Sequence, residues 1–141
     1  MVMSIQLQIY KEMALSLRCQ KYKGAILPAK PLLLIGVCNA IEEGKVGNNR
    51  ISLDVIENQY RLLQKKYGVK TPFNYPLYFL DSEPFYHLKW KSGKVVTDTP
   101  SATMLRENIE YAFLDNALWD LLQDEESRNY FCKCIEDYYL N

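Results

Sequence analysis

The segment that most restricts the fold of this chain is KPLLLIGVCNAIEEG, residues 30–44. Proline is favoured at the first position of a helix and glycine just past its end. Pro31 and Gly44 therefore predict a helix that begins at Pro31 and runs to about Glu43. Between these ends almost every side chain is apolar. A helix without a polar face is typical of a protein core, and we expect this helix to be buried.

The composition indicates one globular domain spanning residues 1–141, since 48% of the residues are apolar and 24% are charged. The longest apolar run, Leu32–Val37, is too short to cross a bilayer. The N-terminal sequence MVMSIQLQIYKEM is interrupted by Gln, Lys and Glu, unlike a signal peptide. We therefore expect a cytoplasmic protein with no membrane partner.

Helical periodicity recurs on both sides of the apolar segment. Apolar residues at near-helical spacing predict a first helix within residues 4–22, and Gly24 and Pro28 mark the loop that follows it. The same spacing predicts a third helix over residues 54–67, which Gly68 ends. The first half of the chain is therefore expected to be helical.

The pattern changes in the second half, where several prolines interrupt the helical spacing between residues 71 and 100. The sequence FYHLKWKSGKVV, residues 85–96, alternates around a Ser-Gly turn and predicts a β-hairpin. Residues 99–112 open another helix, and residues 115–140 complete a helical C-terminal region. We predict a helix-rich α+β single domain with a small antiparallel hairpin, an order similar to that of a winged helix.

No pattern of a catalytic, metal or cofactor site is present. The four cysteines lack a CxxC spacing, and His87 is the single histidine, so we expect no zinc site. A glycine-rich phosphate loop, a GxSxG elbow and an HExxH helix are all missing from the sequence. Asp124, Glu125 and Glu126 open a helix, where carboxylates are favoured by the helix dipole. We predict no catalytic residue and no cofactor, and this chain alone is not expected to be an enzyme.

Charge is unevenly distributed along the chain, although the net charge is zero. Residues 1–100 carry fourteen Lys and Arg against eight Asp and Glu, whereas residues 101–141 carry three against nine. An acidic C-terminal region that is merely solvated would explain this asymmetry. A basic face for a polyanion, with the acidic end turned away, would explain it equally well.

Cations cluster around the start of the apolar helix. The first backbone N–H groups of a helix have no intrahelical partner and attract phosphate groups. Lys30 stands at this start, and Arg18, Lys21 and Lys23 lie on the segment that enters the helix. The alternative is that they are solubilising charges around an ordinary core helix. Because no acid lies between Arg18 and Lys30, we favour an anion-binding site.

Six segments occur in an order that resembles the sulfur-binding domain of phosphorothioate-dependent HNH restriction endonucleases, in a divergent variant. They are LPAKPLLLIGVCNAIEEG, NRISLDVIENQYRLL, YPLYFL, FYHLKW, PSATMLREN and DNALWDLLQDEESRNYFCKCIEDYYL. Each short motif is common, and the specificity lies in their succession over residues 15–140. The resemblance implies a non-catalytic module of a bacterial restriction or defence system. Its partners would be double-stranded DNA and an HNH nuclease domain outside these residues.

The resemblance also implies which residues contact the modified DNA, in which sulfur replaces one non-bridging phosphate oxygen. In this family a Tyr-Pro pair and an apolar residue three positions after the proline form the sulfur pocket, which implies Tyr75, Pro76 and Phe79 here. The basic residue before the Pro-Leu-Leu helix corresponds to Lys30. Phe79 is bulkier than the residue typical of its position, and Ala29 stands where the family often has a second basic residue.

Alternatives remain open for several of these residues. Tyr75 and Pro76 could only end the third helix and cover the core. Arg106 is a further candidate DNA contact, or it forms an ion pair with Glu110 at helical spacing.

Two other functions are also consistent with the sequence. A protein-interaction or regulatory domain would use the acidic C-terminal helices and an apolar patch near Trp119 and residues 138–139. A small hydrolase would place its active site around His87 and Asp81 or Glu83.

Overall fold

A computed structural model describes residues 4–140 of the chain. Twelve elements follow one another in these residues: α1 (Ile5–Ala14), β1 (Lys21–Tyr22), β2 (Ala25–Ile26), α2 (Ala29–Glu42), α3 (Leu53–Tyr67), α4 (Asn74–Phe79), a 3-10 turn (Leu80–Ser82), β3 (Tyr86–Trp90), α5 (Ala102–Asn108), β4 (Ile109–Leu114), α6 (Asn116–Gln123) and α7 (Glu125–Tyr139). The helices dominate and the strands form two small antiparallel sheets. The predicted helix-rich α+β class is confirmed.

Helix α2 lies in the core, as its apolar sequence predicted. Almost all of its side chains are buried, and it packs against α3, α4, α6 and α7. Gly36 lies close to α3, because a Cβ atom at Gly36 would lie 3.3 Å from the Cβ of Gln59. The absence of a side chain at Gly36 therefore permits this close contact between the two helices.

Helix α3 ends where its sequence predicted and begins one residue earlier, at Leu53. The hydroxyl of Ser52 caps the helix by accepting a hydrogen bond from the N–H of Val55 at 3.2 Å. Gly68 ends it in the left-handed conformation with φ 69°, which glycine adopts without strain. No helix within residues 4–140 is long and apolar enough to cross a membrane.

The predicted hairpin at residues 85–96 is wrong in its second strand. β3 pairs instead with β4 in an antiparallel register that runs from Tyr86 opposite Leu114 to Trp90 opposite Ile109. The helix predicted over residues 99–112 ends at Asn108 for the same reason, since the next residues join the sheet. Burial explains the choice of strand. β4 buries three side chains, whereas Val96 in the predicted strand is exposed.

A hairpin does form earlier, where the sequence predicted the end of the first helix and a loop. Helix α1 ends at Ala14, and β1 pairs with β2 around a turn at Lys23 and Gly24. Both turn residues have positive φ angles, 51° and 81°, which matches the turn chemistry of two-residue hairpins. The first helix thus lies within the predicted segment 4–22 but occupies only its first part.

The proline-rich segment forms a short helix rather than a loop. Pro76 is the third residue of α4, inside the first helical turn. The missing N–H of a proline has no consequence there, because first-turn N–H groups have no intrahelical acceptor. This helix is held between α2 and α5 and places Tyr75, Pro76 and Phe79 on one rigid element.

Candidate nucleic-acid interface

One cavity of about 150 Å³ lies between the start of α2, helix α4 and the segment that precedes β1. This volume is roughly ten times the ~15 Å³ that one water molecule needs. The cavity is lined by Arg18, Cys19, Gln20, Leu27, Ala29, Lys30, Thr71, Tyr75, Pro76, Phe79 and Ser82. The structure thus brings together five of the residues that the sequence assigned to one site: Arg18, Lys30, Tyr75, Pro76 and Phe79.

The apolar wall of this cavity is formed by α4. Tyr75 and Phe79 are one helical turn apart, and their rings stack with centroids 6.4 Å apart and planes inclined by 16°. Tyr78 meets Phe79 edge to face at 5.0 Å. Pro76 is buried and lines the cavity as well. The bulky Phe79 is part of the wall, and the cavity remains open with this side chain in place.

The charged end of the cavity contains a buried ion pair that the sequence did not predict. The Nζ atom of Lys30 lies 2.9 Å from Oε2 of Glu83, and the side chains are 10% and 4% exposed. The same carboxylate oxygen accepts the backbone N–H of Arg18 at 3.2 Å. An ammonium group has three donors, so Lys30 keeps two for a ligand in the cavity. Glu83 therefore orients Lys30 and compensates part of its charge.

The start of α2 adds backbone donors beside Lys30. Its N-cap, Pro28, makes no side-chain hydrogen bond to the helix, and Pro31 has no N–H. The amide groups of Ala29 and Lys30 are the first-turn donors for which α2 has no carbonyl partner. The helix begins at Ala29, two residues before the predicted start at Pro31.

Further cations extend from the rim of the cavity along the β1–β2 hairpin. Arg18 is exposed and donates from its Nη2 atom to the carbonyl of Ser82 at 3.0 Å. Lys21 and Lys23 are exposed on the hairpin that follows, although they do not line the cavity themselves. Their hairpin is joined to the cavity lining by the hydrogen bond from Leu27 N–H to the carbonyl of Gln20, at 2.7 Å.

Arg106 lies away from this cavity. Its guanidinium forms an ion pair with Glu57 on α3 and lies over the ring of Phe73 at 5.5 Å. It lines a different depression, together with Lys91 and residues at the start of α3. The predicted pair with Glu110 is wrong, because the helix ends before Glu110 and that residue belongs to β4.

The three residues proposed for a hydrolase site each have other partners. His87 contacts Asp115, with 2.6 Å between Nε2 and Oδ1. Asp81 accepts the backbone N–H of Leu88 and pairs with a lysine, while Glu83 is engaged by Lys30. The same Asp115 accepts the hydroxyl of Tyr10 at 2.9 Å. Burial and this carboxylate raise the pKa of Tyr10 to about 12.

The surface expected for a protein-interaction domain is also incomplete. Trp119 is buried, and the hydroxyl of Tyr139 donates to the carbonyl of Ala14. Tyr138 is exposed. Asp124 caps α7 by accepting hydrogen bonds from the backbone and hydroxyl of Ser127, and these bonds lower the pKa of its carboxyl. Within residues 4–140, no three acidic, Cys or His side chains are grouped to hold a metal ion.

Comparison with solved structures identifies the fold. The sulfur binding domain of SprMcrA complexed with phosphorothioated DNA aligns with a TM-score of 0.74 at 15% identity, over 96% of this chain and 86% of that one. The chain has the fold of a sulfur-binding domain. The sulfur binding and SRA domains of ScoMcrA with phosphorothioated DNA align at a TM-score of 0.76 and 14% identity, over 93% of this chain and 42% of that one.

A longer structure shows how such a fold occurs in a larger protein. The Type IV phosphorothioation-dependent restriction endonuclease ScoMcrA aligns at a TM-score of 0.71 and 14% identity, over 99% of this chain and 26% of that one. No protein-family model matches the sequence, and no curated protein sequence matches it either. The resemblance drawn from the order of short motifs is thus confirmed by the fold.

Proposed function

We propose that this chain is a non-catalytic module that binds double-stranded DNA and reads a phosphorothioate in its backbone, within a bacterial restriction or defence system. One observation carries the proposal. The cavity joins Lys30 and Arg18 to an apolar wall of Tyr75, Pro76 and Phe79, in a fold whose solved examples include complexes with phosphorothioated DNA.

The apolar wall is the basis of sulfur selectivity in this proposal. Sulfur is larger and less strongly hydrated than oxygen, so burying about 40 Å² of it against the ring of Pro76 contributes roughly 1 kcal/mol. An oxygen atom in the same position loses its water without gaining a hydrogen bond, which costs about 1–3 kcal/mol. The wall therefore favours the modified strand both by attraction and by rejection of the unmodified one.

The cations are the basis of affinity. Phosphate contacts dominate DNA binding and make it sensitive to salt. Arg18, Lys21 and Lys23 supply charge along the rim, and Lys30 with the first amides of α2 faces the phosphate group in the cavity. Because Glu83 compensates part of the charge on Lys30, the rim carries most of the long-range attraction.

The cleavage step belongs to another part of the system. The chain corresponds to about a quarter of the ScoMcrA endonuclease. The proposed partner is an HNH nuclease domain, on the same polypeptide or a separate one, and the place of action is the cytoplasm. Residues 1–141 would act as one DNA-reading domain.

The test compares two duplexes of the same sequence, with and without a single phosphorothioate, by fluorescence anisotropy at about 50 and 200 mM salt. We expect tighter binding of the modified duplex at both concentrations and weaker binding of both duplexes at the higher one. Salt-sensitive binding with equal affinity for the two duplexes would support DNA binding and contradict recognition of sulfur. Absence of binding to either duplex would reject both.

A pair of charge reversals provides the matched control. Lys21→Glu adds a negative charge on the hairpin beside the cavity, whereas Lys133→Glu adds one on α7, where the side chain is also exposed. Only the first change is expected to weaken duplex binding.

A further inference from the structure

The outer face of the β3–β4 sheet carries side chains that the proposed function does not use. Along each strand the side chains alternate between the core and the surface. The inner positions, which include Tyr86, Leu88, Ala112 and Leu114, are buried. The outer positions hold His87 and Lys89 on β3, opposite Phe113 and Tyr111 on β4. We call these four residues the outer sheet face.

The rings on this face form a continuous row. The centroid of His87 lies 5.0 Å from that of Phe113, and the centroid of Phe113 lies 5.9 Å from that of Tyr111. All three rings are partly exposed. Aromatic rings gain by burial, so a row of three left at the surface of a small sheet is a surface suited to a flat ligand.

Two cations accompany the rings. The guanidinium of Arg50 lies over the ring of Tyr111 at 5.4 Å, and Lys89 is directly opposite Tyr111 in the sheet register. Within residues 4–140, neither Arg50 nor Lys89 forms an ion pair. The acids that flank Tyr111 and Phe113 in the sequence are Glu110, near the start of β4, and Asp115, just after its end. Asp115 is engaged by His87 and Tyr10.

We infer that the outer sheet face binds unpaired bases of single-stranded DNA, with the rings of Tyr111 and Phe113 stacking on the bases and Arg50 and Lys89 contacting the phosphates. Stacking is available to any base because every base has a π face, and cations beside the rings follow the backbone. This contact is separate from the cavity, which none of these residues lines. It therefore goes beyond the reading of a modified duplex.

The test separates stacking from charge. A thymidine strand of about twelve nucleotides is compared with an abasic strand of the same length, which carries the same phosphates but no rings. Stacking of one base is sufficient for a preference of at least about fivefold for the thymidine strand. The double variant Tyr111→Leu/Phe113→Leu should lose this preference, whereas Tyr138→Leu, which removes an exposed ring on α7, should keep it.

Folding of each variant is checked by circular dichroism and thermal unfolding. Should the double variant fail to fold, the single changes Tyr111→Leu and Phe113→Leu must each reduce the preference. Equal affinity for the two strands, as expected of a face that docks onto a protein, overturns the inference. So does a preference that survives in the folded variants. Duplex binding by the cavity is measured separately, so either proposal can fail alone.

Discussion

The ammonium group of Lys30, which lines the cavity, and the carboxylate of Glu83 form a buried ion pair, 53 positions apart in the sequence. Two opposite charges that are this deeply buried depend on each other, because removing either one leaves the other without compensation. The pair thus links the stability of the domain to the charge of its candidate phosphate site.

Glu83→Gln is expected to change the stability of the domain and its affinity for DNA in opposite directions. The free energy of unfolding should fall by about 3 kcal/mol, because the Lys30 charge stays buried without its counter-charge. Affinity for duplex DNA should rise at the same time, since that charge becomes fully available to a phosphate. Urea unfolding and fluorescence anisotropy measure the two effects. The double variant Lys30→Gln/Glu83→Gln should regain part of the stability but bind DNA more weakly than the single variant.

The hairpin lysines should determine part of the salt dependence. In Lys21→Ala/Lys23→Asn, asparagine is chosen for position 23 because it tolerates the positive φ of 51°. Each lost phosphate contact reduces the slope of log K against log salt by about 0.9, so we expect a reduction of about 2 in a salt titration. Lys133→Ala serves as the comparison, and an equal change there would argue against a hairpin contact.

Pro76→Ala should affect selectivity rather than affinity. The change removes the proline ring from the cavity wall, and the new N–H lies in the first turn of α4, where no intrahelical acceptor is required. The preference for the phosphorothioate duplex should fall about fivefold, which corresponds to roughly 1 kcal/mol of lost sulfur burial. Competition between the two duplexes measures this ratio. An unchanged ratio would remove Pro76 from the sulfur site.

Gly36→Ala should destabilise the fold by about 1–3 kcal/mol, because the added methyl group would press against Gln59 at the contact of α2 with α3. Gly47→Ala is the matched control, since a Cβ there meets no atom within 4 Å and its φ is not positive. Thermal and urea unfolding of the two variants should therefore differ clearly. Similar unfolding curves would show that α2 and α3 can move apart to accommodate the methyl group without loss of stability.

Tyr10 should make the fold sensitive to alkaline pH. Burial and Asp115 raise the pKa of its hydroxyl to about 12 in the folded chain, against the usual 10. Above pH 10 the unfolded chain releases this proton while the folded chain retains it. The contribution of Tyr10 to the free energy of unfolding is therefore fully present below pH 10 and is lost as the pH rises from 10 to 12. Urea unfolding at pH 9 and pH 11 measures the loss. Tyr10→Phe should lose less stability over this interval, with the remainder due to other buried tyrosines.

Local signals predicted the helices with marked ends. Gly68 ends α3 where the sequence placed its end, and the uniform apolarity of α2 correctly indicated burial. The strand partner of β3 was missed because strand pairing is decided by distant residues, and Ile109–Leu114 continues directly from a helix whose pattern obscures it. The segment IEYAFL also lacks the strict alternation of apolar and polar residues that predicts a strand.

The candidate site was predictable to a similar extent. The order of short motifs brought Lys30 and Tyr75-Pro76 together across a long separation, and both line the cavity. Glu83 was missed as the partner of Lys30, because an ion pair between distant residues leaves no periodic signal in a single sequence. Arg106 was paired with Glu110 by helical spacing, whereas its partner in the structure, Glu57, lies on another element.

The short helix α4 has a consequence for how the proposed ligand is recognised. Tyr75, Pro76 and Phe79 are fixed relative to one another by helical backbone, so the surface they form exists before any DNA arrives. No conformational entropy is then lost in assembling it. A preformed surface also cannot contract around a smaller atom. Because sulfur has a larger radius than oxygen, it makes more contact with this rigid surface, without induced fit.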